Sequence, residues 1–110
     1  MDGTLLNNEQ QISNENKKAI HNVIEQGIAV VLACGRPLES IYPYTLELGI
    51  DLPIISTNGA FIKNPSTNKV IYSEALQFDY AKEIIQYGKE NGYKVSLYTD
   101  QGVSSLAKKC

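Results

Sequence analysis

The chain has 110 residues, of which 43% are apolar and 20% charged, with a formal net charge of −2. That balance is globular rather than disordered. The scattered Lys and Arg form no basic stripe that would neutralise a nucleic-acid backbone, and no apolar run is long enough to span a bilayer. Cys34 and Cys110 fit no metal-ligand spacing. The opening Met1-Asp2-Gly3-Thr4-Leu5-Leu6 is not a basic stretch followed by an apolar one, so free thiols in a reducing cytoplasm are expected.

In chain order, Gly3 and Asn7-Asn8 signal turn and loop. Ser13 is placed as an N-cap with Glu15 in the first turn, and Ala19, Ile20, Val23 and Ile24 recur at helical spacing until Gly27. His21 on this helix is expected to face solvent. The continuous apolar run Ile28–Ala33 reads as a strand buried on both faces, as in a parallel sheet. A helix over about Leu38–Leu48 follows Pro37, with Pro43 expected to kink or split it and Gly49 to stop it. Pro53–Thr57 reads as a short strand ended by Asn58-Gly59.

Beyond Asn58-Gly59 the texture changes. Ala60–Lys63 and Val70–Ser73, joined by the polar link Asn64–Asn68, predict a hairpin. A helix over about Asp79–Asn91 should bury Ala81, Ile84 and Ile85, and Tyr93–Thr99 alternates as a half-buried strand. Asp100–Cys110 has no assigned element. A boundary near 58–60 is therefore expected, with residues 1–58 forming one domain and 59–110 a second.

Ligands of open α/β sheets bind beyond the carboxyl ends of the strands. The loops Asp2-Gly3-Thr4, Cys34-Gly35-Arg36 and Asn58-Gly59 would meet there if the sheet is parallel, gathering a carboxylate, a thiol, a guanidinium, an amide and glycine N–H groups suited to a phosphoryl group. Singly, each also has an ordinary structural reading. Asn58-Gly59 is a common hairpin turn, Cys34 a small apolar residue, Arg36 a surface cation, and the seven tyrosines packing or rim residues.

Three segments together carry a resemblance. Met1-Asp2-Gly3-Thr4-Leu5-Leu6 resembles the tail of Asp-x-Asp-Gly-Thr-Leu-Leu, Ala33-Cys34-Gly35-Arg36-Pro37 resembles a strand ending in Thr-Gly-Arg-Pro, and Asn58-Gly59-Ala60 resembles an Asn-Gly-Ala segment leading into a cap. In this order and spacing the chain is similar to the haloacid dehalogenase superfamily, in its Cof-type branch of phosphatases, many of them acting on sugar phosphates.

The resemblance implies an α/β fold: a partial Rossmann-like core with a parallel sheet over 1–58, followed by the start of an α/β cap over 59–110. It also implies Mg2+-dependent hydrolysis of phosphate monoesters through an aspartyl-phosphate. Asp2 then matches the general acid and base, with its backbone carbonyl at the metal. Thr4, Cys34 and Gly35 match phosphate-binding positions, and Arg36, Asn58 and Gly59 substrate-binding ones.

The chain departs from the pattern at Met1, which occupies the middle position of Asp-x-Asp, so the nucleophile would precede the chain, and at Cys34, where the family has a hydroxyl. Little or no turnover is expected of this chain, together with self-association through exposed sheet edges. The expected partner is a small phosphate ester. The rival readings are a non-catalytic interaction protein and an anion-binding α/β module derived from the same fold.

Overall fold

The computed structural model describes residues 1–106, and Cys110 lies outside them. The chain divides into two compact units, Met1–Ser73 and Glu74–Cys110, each described by itself below.

The first unit opens on a turn that folds back on itself. Thr4 N–H and Leu6 N–H both donate to the Met1 carbonyl, at 3.2 and 3.1 Å. A tight loop follows between Leu6 and Ile12, which bridge in antiparallel fashion. The Asn7 side chain closes it by accepting from the N–H groups of Glu9 and Gln11, each at 2.9 Å, an Asx turn that replaces a main-chain turn. Helix α1 runs over Asn14–Glu25, and Ser13 caps it by accepting from Asn16 N–H at 3.2 Å. Gly27, with φ 81°, lies just past its end. His21 is exposed, and its Nε2 lies 3.2 Å from the Leu48 carbonyl, tying α1 to the next helix.

Helix α2, Leu38–Leu48, starts after Pro37 and ends at left-handed Gly49 (φ 68°), where Ile50 N–H reaches back to Thr45 O at 2.9 Å. It runs through Pro43 as one helix and is not split there. The ring removes the donor to Glu39 O, and both residues are exposed, so water can replace the lost bond. Ile41, Thr45 and Leu48 form the buried stripe of α2, and with Leu6, Ile12, Leu32 and Ile54 they make the core.

Strand β1 (Ile54–Ser56) pairs antiparallel with β2 (Phe61–Asn64), which pairs antiparallel with β3 (Lys69–Ser73), giving sheet order β1-β2-β3. The predicted hairpin is therefore β2-β3, and it shares the first unit with β1. The segment Ile28–Ala33 departs from expectation. It makes one parallel bridge, Ala33↔Ile55, with Cys34 N–H to Ile55 O and Ile55 N–H to Leu32 O both at 3.0 Å. Leu32 is buried, but Ile28 and Val31 are exposed. An apolar run predicts burial on both faces, yet burial also requires neighbours on both sides, and among the described residues the pairing is one-sided and brief.

The second unit contains helix α3 (Phe78–Glu90) and the antiparallel pair β4 (Val95–Thr99) and β5 (Gly102–Leu106). β4 alternates as predicted, with Val95 and Leu97 partly buried between exposed Ser96 and Tyr98. Ile84 is exposed rather than inward. Gly88 is the buried residue of α3: a Cβ there would stand 2.2 Å from Val95 Cγ2, so its bare backbone lets helix and strand approach.

Candidate functional site

The three loops singled out in the sequence meet in the first unit. The second and third are joined through main chain: Asn58 N–H donates to Cys34 O at 3.2 Å and Thr57 N–H to Arg36 O at 3.0 Å. Thr57, Asn58 and Gly59 have φ of 51°, 55° and 92°, a left-handed turn that aims both N–H groups back at the Cys34–Arg36 loop. A Cβ on Gly35 would lie 2.8 Å from Asn58 Oδ1, so the missing side chain is what allows the Asn58 amide to rest against this loop. Gly59 has open space around it, and its backbone angle is what favours glycine there.

The first and second loops are joined by charge. Arg36 donates from Nε to Asp2 Oδ2 at 2.9 Å and from Nη2 to Asp2 Oδ1 at 2.5 Å, a bidentate pair. The Arg36 side chain is 21% exposed and that of Asp2 57%, so the guanidinium is the packed partner and the carboxylate the open one. The hydrogen bond from Arg36 holds the Asp2 carboxyl below its ordinary value, and the same bond raises Arg36.

Asp2, Cys34, Gly35, Arg36 and Asn58 thus lie in one connected cluster. Thr4 sits in the same turn as Asp2, but its hydroxyl donates to Met1 O at 3.1 Å, within the turn. Among the described residues, no group of three or more His, Cys, Asp or Glu side chains could hold a metal ion.

Two further residues belong to the cluster. Gln10, at the tip of the Asx-closed loop with φ 61°, accepts from Arg36 Nη2 through Oε1 at 3.3 Å. Tyr44 on α2 places its ring 5.9 Å from Arg36 Cζ and donates its hydroxyl to Gln10 O at 2.9 Å. Neither stood out in the sequence. Gln10 carries no turn signature of its own, and Tyr44 is one of seven tyrosines. The available hint was Asn7, whose side chain could be expected to fold the following residues back.

Comparison with known proteins gives this geometry its context. The sequence profile of the haloacid dehalogenase-like hydrolases matches residues 1–109. Phosphatase YwpJ of Bacillus subtilis is 31% identical over 103 residues, covering 94% of this chain and 36% of that protein. The 5-amino-6-(5-phospho-D-ribitylamino)uracil phosphatase YwtE of the same bacterium is 32% identical over 105 residues, covering 96% and 36%. The crystal structure of a haloacid dehalogenase-like hydrolase from Bacteroides thetaiotaomicron matches with a TM-score of 0.86 and 29% identity, over 97% of this chain and 41% of that one. The chain spans about a third of the length of the curated relatives it matches.

Proposed function

This chain belongs to the haloacid dehalogenase-like hydrolases, in their Cof-type phosphatase branch, and we propose that it contributes the acid/base and phosphate-gripping loops of an enzyme that hydrolyses small phosphate monoesters, sugar phosphates foremost. The observation that carries this reading is the meeting of Asp2, Cys34–Arg36 and Asn58 in one connected cluster.

Each residue has a chemical role in the proposal. Asp2 protonates the leaving oxygen and then activates water. Arg36 and the Asn58 amide contact the phosphate ester, while Cys34 and Gly35 line the phosphoryl pocket and Thr4 and Gly59 shape its rim. The nucleophilic carboxylate of the family is not among these residues, so the proposal gives the cluster the acid/base and gripping roles alone. Magnesium would supply charge neutralisation at the phosphate. Asp2 offers it one hard oxygen donor, through its carbonyl, and the described residues do not complete a shell.

Residues 1–58 are read as partial core and 59–110 as the beginning of a substrate-selecting cap, which the β2-β3 hairpin would open. A cytoplasmic setting accords with Cys34 being a free thiol.

Titration with inorganic phosphate, followed by amide NMR, tests the reading. Shifts should concentrate at Gly3, Cys34, Gly35 and Asn58, and Arg36→Ala should abolish them. Shifts spread over both units, or unaltered by that substitution, would sink it. In a parallel assay, any magnesium-dependent turnover of a chromogenic phosphate ester should be lost in Asp2→Ala. Turnover unaltered by Asp2→Ala would take the acid/base role away from that residue.

A further inference from the structure

The edge of Arg36 that pairs with Asp2 is the edge a phosphoryl group would need. Nε and Nη2 form the two-pronged face that matches a pair of oxygens, and both prongs point at Asp2, with Nη2 also reaching Gln10 Oε1. The guanidinium is not left to find this position alone. The Tyr44 ring lies against it, and the Tyr44 hydroxyl fixes the main chain of Gln10, whose own side chain completes the contact. Gln10 holds a left-handed backbone with φ 61°, uncommon for a residue with a long side chain. That conformation persists where its surroundings over-determine it, and here they include the Tyr44 bond and the Asn7 turn.

The geometry points to Tyr44 and Gln10 as positioning residues that park the Arg36 guanidinium on Asp2, so that a phosphoryl group binds by drawing Arg36 away from that carboxylate. This rests on the phosphatase reading above. A parked arginine makes binding competitive: the ligand replaces one bidentate anion with another, and the apparent affinity is lowered by the share of molecules in which Arg36 is engaged. The parking also gives Asp2 two settings. It is held by the guanidinium before the ligand arrives and released once Arg36 has moved, at the stage when an acid is needed beside the leaving group.

The sign of the predicted effect separates this role from a merely structural one. Tyr44→Phe removes the hydroxyl and keeps the ring. Gln10→Ala removes the side-chain acceptor. Each should loosen the parking and tighten binding of inorganic phosphate by about threefold or more, by the same population argument. A residue that only supports the fold would, when altered, weaken binding or leave it unchanged.

The first measurement is the 15Nε–1Hε signal of Arg36 in the whole chain at neutral pH. It should be protected from exchange with solvent in the parent chain, less protected in Tyr44→Phe and Gln10→Ala, and displaced by phosphate. Gln10→Glu, which restores an acceptor at the same reach, should bring the protection back. Unchanged protection in both loosening variants overturns the parking, as does weaker phosphate binding in folded variants. Should phosphate displace no signal anywhere, the phosphatase reading fails while the variants still decide whether Tyr44 and Gln10 hold Arg36. Should phosphate move the loop amides but leave the Arg36 signal in place, the phosphatase reading stands and the displacement is wrong.

Discussion

Thr57 is a point of local strain among the described residues. A β-branched residue at φ 51° sets its Cβ against the backbone, and it is kept there by the N–H it donates to Arg36 O. Thr57→Asn should therefore stabilise the chain by about 1 kcal/mol, because Asn tolerates the left-handed region. Urea unfolding measures this, and a loss of stability would mean that the threonine side chain makes compensating contacts. Acid should undo the Asp2–Arg36 pair. The Asp2 carboxyl is held below its ordinary value of 3.8, so the contribution of the pair is complete above that value and is lost as pH falls through the lowered one. The protected Arg36 Nε–H signal should accordingly persist across the neutral range and vanish only below the usual carboxylate range. Disappearance between pH 5 and 7 would show that another group controls it.

Gly88 shows a local rule reversed by packing. In an exposed helix interior, Gly→Ala gains about 1 kcal/mol. Here the added methyl would meet Val95 Cγ2 at 2.2 Å, and overpacking typically costs about 1–3 kcal/mol. Gly88→Ala should thus be destabilising, and pairing it with Val95→Ala should recover much of the loss. A stabilised single variant would show that α3 and β4 yield without penalty. The same tension between local pattern and tertiary neighbours decides what was legible beforehand. α1, α2 and α3 were readable because caps, prolines, glycines and 3.6-residue spacing are written within each segment, and the β2-β3 hairpin because Asn64–Asn68 is turn-rich. Ile28–Ala33 misled because hydrophobicity records what a segment could bury and not how many neighbours it has. β5 carried no strand signal strong enough to separate it from loop. Within the site, the loops could be found from residue type and order, whereas Gln10 and Tyr44 join Arg36 through contacts 26 and 8 positions away along the chain, which no short pattern encodes.

At the scale of the whole chain, much apolar surface faces outward. Ile28, Val31, Ile71 and Tyr72 in the first unit and Phe78, Ile84, Tyr87 and Tyr98 in the second are all exposed large side chains. Surfaces of this kind, together with an extended segment bridged once, favour association between copies. Light scattering should show mass rising with concentration, and a monomer unchanged from micromolar to millimolar would contradict it. The cluster itself is framed differently. Its second and third loops are held by Asn58 N–H to Cys34 O and Thr57 N–H to Arg36 O, bonds that involve no side chain. Position 34 can therefore exchange sulfur for oxygen while its peptide stays anchored, so Cys34→Thr should alter what the cluster offers an anion without altering its outline. A frame made from peptide groups can outlast changes in the chemistry it displays, which lets one scaffold be retuned one side chain at a time.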